Sequence, residues 1–167
     1  IIKYPAAEGL SEIIATPTYY NGKVYVAIGQ DPEHGEGVGC LSCIDADTGK
    51  KVWEFKKIKR TISTCAVDAS NGLLFAADYS GYVYCLDAES GELHWVYDQK
   101  AHMWGSPLVA DGKVYIGDED GDFVVLASDK KMKLLSETFF PAPIYSTPIV
   151  ANGILYVATQ SHLYALY

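Results

Sequence analysis

An all-β fold of repeated four-stranded units is what this 167-residue sequence predicts. Three observations carry the prediction. The chain repeats itself with a period of about 42 residues, each unit holds an Asn-Gly or Asp-Gly dipeptide between apolar runs, and no segment shows the 3.6-residue stripe of an amphipathic helix. Four segments align: "ATPTYYNGKVYVA" from Ala15, "STCAVDASNGLLFAA" from Ser63, "GSPLVADGKVYIG" from Gly105 and "STPIVANGILYVA" from Ser146. Their anchor column is Pro17, Cys65, Pro107 and Pro148, spaced 48, 42 and 41 residues apart, so the first unit contains an insertion.

Each unit divides into the same elements. A short extended piece follows the anchor and ends at Asn21-Gly22, Asn71-Gly72, Asp111-Gly112 or Asn152-Gly153. These are hairpin dipeptides, expected to take positive φ at both central positions of a type I′ turn. Runs such as "KVYVA" and "ILYVA" supply the second strand, with β-branched and aromatic residues suited to a pleated surface. Turns at Asp78 to Gly81 and Asp118 to Gly121 lead to a third strand, and a D-A-x-[ST]-G turn leads to a fourth. Four antiparallel strands in about 42 residues is the arithmetic of a β-propeller blade. We expect one partial propeller over residues 1–167, with blades near 11–57, 58–99, 100–140 and 141–167, the last lacking its outer strand.

The third-to-fourth-strand segments carry a resemblance. "CIDADTGKKVW" and "CLDAESGELHW" resemble the tryptophan-docking motif A-x-D-x-x-T-G-x-x-x-W of bacterial pyrroloquinoline-quinone (PQQ)-like propeller repeats, with cysteine in place of the leading alanine. In the third unit Ala127 and Leu135 stand in the aspartate and tryptophan columns, so the motif has decayed there. The resemblance implies that Asp45, Gly49, Trp53, Asp87, Gly91 and Trp95 dock neighbouring blades. It also implies a periplasmic or extracellular protein, and a ring of six to eight blades to which this chain contributes about four. The remaining blades or a second copy of the chain would then close the ring; a closed four-bladed ring stays an alternative. The start "IIKYPAAEGL", without methionine or a signal-peptide pattern, reads as a trimmed piece of something longer.

Composition narrows the function classes. The formal charge is -8, and the densest basic run is only "KKIKR", Lys56 to Arg60. Most of this surface would repel a nucleic-acid backbone, so no nucleic-acid partner is expected. No apolar run approaches the roughly 20 residues of a membrane-spanning helix. Four cysteines without paired spacing leave the redox state of Cys40, Cys43, Cys65 and Cys85 open.

In a propeller, the loops leading into the inner strands and the turns between second and third strands surround one mouth of the central channel. The loops offer Glu12, Arg60, His102 and Pro143, followed two residues on by Ile14, Ile62, Trp104 and Tyr145. The turns offer Asp31, Glu33, His34 and Glu36 in the first unit, then Asp78, then Asp118, Glu119 and Asp120. From these, Asp31, Glu33, His34, Glu36, Arg60, Asp78, His102, Trp104, Asp118 and Tyr145 are the candidate ligand-binding residues. An arginine, two histidines, an aromatic plate and many carboxylates could hold a polar ligand or a cation; a protein or small polar ligand at the channel mouth is the expectation.

Specific chemistry finds less support. A calcium loop begun at Asp118 would need glycine sixth and glutamate twelfth, where Phe123 and Asp129 stand instead. The "CLSC" of Cys40 to Cys43 resembles a metal or haem motif, yet an offset of three on a strand puts the sulfurs on opposite faces. Ile44, not histidine, follows it. No catalytic or metal-binding residue is assigned. The quinone-dependent dehydrogenases of this fold use PQQ with calcium, and their alcohol-oxidising branch adds a vicinal Cys-Cys that this chain lacks. The expected function is a non-catalytic binding or scaffold module. The alternative is part of a PQQ-dependent dehydrogenase whose other blades lie outside this chain. The acidic "DPEHGEG" insertion, which no other unit carries, is the most distinctive functional segment.

Overall fold

The computed structural model describes residues 11–30 and 37–167. No helix occurs among them, and so none long and apolar enough to cross a membrane. Sixteen strands form four antiparallel sheets; the last three are simple meanders, and the first adds a short extra strand paired with its second meander strand. The first contains β2 (Thr18–Tyr20), β3 (Lys23–Gln30), β4 (Cys40–Asp45) and β5 (Lys51–Phe55). The second contains β6 (Ala66–Asp68), β7 (Leu73–Ala77), β8 (Tyr82–Asp87) and β9 (Leu93–Asp98). The third contains β10 (Leu108–Ala110), β11 (Lys113–Gly117), β12 (Asp122–Ala127) and β13 (Leu134–Phe139). The fourth has three strands, β14 (Ile149–Ala151), β15 (Ile154–Ala158) and β16 (Leu163–Leu166).

The expected turn chemistry holds in three hairpins. Asn21-Gly22, Asp111-Gly112 and Asn152-Gly153 all have positive φ, between 47° and 77°. The second hairpin differs. There the ladder closes at Asp68 and Leu73, leaving a four-residue loop in which Gly72 has positive φ and Asn71 does not. Two extra residues between anchor and glycine cause this. The loop closes through Gly72 N to Asp68 O at 2.8 Å, while Asp68 Oδ1 accepts from Ser70 N and Oγ.

A second departure lies in the first unit. Glu12 belongs to a short strand, β1 (Ser11–Glu12), rather than to a loop, and pairs with Gly29 at the far end of β3. The added partner lets β3 run eight residues, where β7, β11 and β15 run five. Gly29 and Gln30, which pair with β1, precede the "DPEHGEG" segment, whose residues 31–36 lie outside the described residues.

The core lies between sheets, not within one. Tyr25, Ala27, Leu41, Cys43 and Phe55 of the first sheet pack on Leu74, Ala76, Tyr84 and Leu86 of the second. Phe75, Ala77, Val83, Cys85 and Trp95 pack on Val114, Ile116, Val124 and Leu126 of the third. Phe123 and Phe140 meet Val157 of the fourth. In β7, alternate residues thus face the preceding sheet (Leu74, Ala76) and the following sheet (Leu73, Phe75, Ala77), the period-2 geometry of the pleat. Burial of this kind stabilises by about 25 cal/mol per Å² of apolar area.

Polar contacts repeat with the same period. Thr16 N donates to Thr64 Oγ1 (3.0 Å), Thr64 N to Ser106 Oγ (2.9 Å) and Ser106 N to Thr147 Oγ1 (2.9 Å), a ladder of inter-sheet bonds just before the anchor column. At the third-to-fourth-strand turns, Asp45 Oδ1 accepts from Thr48 N and Oγ1, and Asp87 Oδ1 from Ser90 N and Oγ. These bonds hold both carboxyls below the usual carboxylate range. Trp53 Nε1 donates to Ala88 O at 3.1 Å, and its ring lies over Gly91, where an added Cβ would come within 2.6 Å of Cδ2. Trp95 Nε1 likewise reaches Asp129 O at 2.8 Å in the worn third turn.

Cys43 lies in the first inter-sheet core while Cys40, three residues away on β4, does not. All four cysteines are free and buried. Burial pushes the Cys43 and Cys65 thiols up to about 11 and Cys85 up to about 12.

Candidate functional site

The loops leading into the inner strands meet the second-to-third-strand turns at one end of the sheets. The contact is a repeated backbone bond. Tyr79 N donates to Arg60 O (2.8 Å), Glu119 N to His102 O (3.0 Å) and Gln160 N to Pro143 O (2.8 Å). The loop column Arg60, His102, Pro143 therefore sits beside the second position of each turn. Gly81 and Gly121 let the chains approach, since a Cβ there would come within 2.6 Å of Ala101 O and 2.2 Å of Phe140 O.

Four of the expected residues form one connected group. The Arg60 guanidinium carbon stands 4.3 Å from the centroid of Tyr79, a cation–π distance. His102 stacks on the same ring at 4.2 Å and 13°, and its Nδ1 donates to Tyr79 O at 2.8 Å. A carbonyl only accepts, so Nδ1 carries the proton. Trp104 meets Tyr79 edge to face (5.2 Å, 85°) and Tyr145 edge to face (5.7 Å, 79°). Its Nε1 donates to Glu119 Oε2 at 3.0 Å. Three successive sheets thus contribute Tyr79, Trp104 and Tyr145 to one aromatic run.

The run is deep at one end and open at the other. Arg60 is 8% exposed, and its Nε finds no hydrogen-bond partner among the described residues. Gly29 makes room for it, because a Cβ at that position would fall 2.2 Å from Arg60 Cγ. Trp104 and Tyr145 are 41% and 45% exposed.

Two expected ligand residues point elsewhere. Asp78 and Asp118 are fully buried and build their turns. Asp78 Oδ1 accepts from Tyr82 N, and Oδ2 from Tyr84 Oη (2.7 Å) and Lys59 N. Asp118 Oδ1 accepts from Asp120, Gly121 and Asp122 N at 2.9–3.1 Å. Asp118 Oδ2 has no partner among the described residues, and desolvation raises its pKa. The physical reason is the turn: amides converging on its first residue draw an acid inward. Asp31, Glu33, His34 and Glu36 lie outside the described residues.

Sequence reading missed Tyr79. It stands beside Asp78 in the second turn position, and the available signal was its column, shared with Glu119 and Gln160, facing the loop residues.

The chain matches, over residues 37–135, the family profile described as "Outer membrane protein assembly factor BamB". Among curated proteins it is 23% identical over 129 residues to the outer membrane protein assembly factor BamB of Yersinia pestis, covering 71% of this chain and 32% of that protein. It is 29% identical over 152 residues to the dehydrogenase subunit of the quinone alcohol dehydrogenase of Gluconobacter oxydans, covering 77% of this chain and 19% of that one. Among solved structures, BamB from Moraxella catarrhalis superposes with a TM-score of 0.74 at 18% identity, over 93% of this chain and 43% of that one. The chain spans about a third or less of the first curated relatives it matches.

Proposed function

The chain belongs to the family of PQQ-type propeller repeats described as outer membrane protein assembly factor BamB, and on that premise we propose that it is a non-catalytic propeller segment whose channel mouth binds a protein or small polar ligand. The observation that carries the reading is the run Arg60–Tyr79–His102–Trp104–Tyr145, anchored by a buried cation and open at two half-exposed rings. Loop clusters on a rigid scaffold are where propeller-like folds place binding groups. The names of the relatives support an exported, periplasmic or extracellular module.

The same proposal includes further blades, from the same polypeptide or a second copy. Leu41, Val83 and Phe123 share a column facing the next sheet and are 0%, 0% and 3% exposed, whereas Leu163 in that column is 69% exposed. Another blade of the same kind would cover it. In this arrangement Asp45, Gly49, Trp53, Asp87, Gly91 and Trp95 dock one blade to the next.

The quinone-dehydrogenase reading draws on the Gluconobacter relative and on the open Trp104 ring. The described residues fit a calcium-bound quinone poorly. Asp78 and Asp118 direct their Oδ1 atoms to turn amides and are closed to a ligand at the mouth. Titrating the chain with PQQ and calcium, read by absorbance and melting temperature, separates the two. The scaffold reading expects no shift at saturating cofactor; stoichiometric binding would favour the dehydrogenase.

A further inference from the structure

We propose that the corner between Trp104 and Tyr145 receives an organic cation: a guanidinium or alkylammonium group on a protein partner, or a free quaternary ammonium compound. The inference rests on the reading of the mouth as a binding site and specifies what it binds. Three observations lead to it.

The first is ring geometry. Trp104 lies nearly perpendicular to both Tyr79 (85°) and Tyr145 (79°), and the two outer rings keep 41% and 45% of their surface open. Aromatic walls at right angles present their negative faces to a common volume, the arrangement that recognises alkylammonium groups. The second is a fixed negative charge. Glu119 Oε2 accepts from the Trp104 indole N–H at 3.0 Å, which holds the carboxylate at the edge of the corner. It also makes the indole face more electron-rich. The third is a cation already bound by the same run. The Arg60 guanidinium carbon sits 4.3 Å from the Tyr79 centroid. Arg60 is almost fully buried, so the rings left open to a ligand are those of Trp104 and Tyr145. The net charge of -8 favours approach of a cation.

An anion fits less well. It would meet aromatic faces and the Glu119 carboxylate before reaching Arg60, and a neutral apolar group would leave that carboxylate without a counter-charge.

The test titrates the full chain separately with tetramethylammonium chloride, N-acetyl-argininamide and neutral neopentyl alcohol, following indole emission. Trp53 and Trp95 lie between sheets and serve as a constant background. A saturable response to at least one cation, at least tenfold tighter than for the alcohol, is expected. Tyr145→Ala should abolish it and Tyr145→Phe should retain it. Glu119→Gln keeps an acceptor for the indole while removing the charge, and should weaken binding severalfold. Tighter binding of the arginine amide points to a protein side chain, and tighter binding of tetramethylammonium to a free ligand. Equal binding of the neutral alcohol, an unchanged response in Tyr145→Ala, or no saturable response to either cation would overturn the proposal. A partner that cross-links at the mouth in those same cases would leave the binding reading standing and remove only the cation.

Discussion

Replacing Gly91 with alanine separates the tryptophan contact from the turn that carries it. Gly91 has φ of 74°, and an added Cβ would meet Trp53 Cδ2, Cε3 and Cγ at 2.6, 2.8 and 3.0 Å. Gly49 occupies the same place in the preceding D-A-x-[ST]-G turn with φ of 67°, and a Cβ there meets nothing within 4 Å. Both substitutions force an L-residue into the left-handed region, at about 1–2 kcal/mol. Only Gly91→Ala adds overpacking, about 1–3 kcal/mol. Trp53 cannot withdraw freely, because its Nε1 is bonded to Ala88 O. Gly91→Ala should therefore exceed Gly49→Ala by about 1–3 kcal/mol, or roughly 3–9 °C in melting temperature at about 3 °C per kcal/mol for a chain of this size. Urea and thermal unfolding of the two variants read the difference. Trimming the ring in the double variant Trp53→Val, Gly91→Ala should recover part of it. Equal losses at Gly49 and Gly91 would refute a docking role for Trp53.

Three further outcomes are expected. Asp118→Asn keeps the oxygen that accepts three turn amides and replaces the orphaned Oδ2 with a donor beside Gln99, whose Oε1 is also unpartnered. Because the folded pKa of Asp118 is raised, its ionisation opposes folding as pH rises above the ordinary value of 3.8. The variant should match the parent in acid and be more stable by about 1 kcal/mol near neutral pH, measured by urea unfolding at pH 3 and pH 7. Ser106→Ala leaves Thr64 N without its acceptor and should cost about 1 kcal/mol; an unchanged unfolding midpoint would mean that the ladder adds nothing. The four buried thiols should resist a disulfide reagent at pH 8 in the native chain and react completely in denaturant, since the thiolate is the nucleophile and burial disfavours it.

What was legible in the sequence was local or periodic. The Asn-Gly and Asp-Gly hairpins follow from backbone sterics within four residues, and the inter-sheet cores follow from alternation along each strand. The second hairpin escaped because its two extra residues change the turn while leaving the dipeptide intact. Arg60, His102, Trp104 and Tyr145 could be gathered from repeat columns alone, because each unit places the same position at the same end. Tyr79 could not, since its role arises only where the loops of two units stack on one turn. Asp78 and Asp118 show the converse limit. An acid at a turn reads as exposed, and only the amides converging on it reveal that it faces inward. The hydroxyl ladder was in view, as Thr16, Thr64, Ser106 and Thr147 before each anchor, but its bonds join different units and need three dimensions to be seen.

The binding role of the mouth is tested most directly by site-specific photo-cross-linking in cells producing the protein. A benzophenone amino acid is placed at Tyr145 in one chain and at Tyr19 in another. Tyr19 is 69% exposed and lies beside a hairpin at the opposite end of the sheets, so bare accessibility would favour it over Tyr145 at 45%. A discrete cross-linked species is expected from position 145 that is absent at position 19 and disappears when Trp104 is also replaced by alanine. Cross-links from position 19 alone, or equal products from both, would contradict a binding mouth built on Arg60, Tyr79, His102, Trp104 and Tyr145.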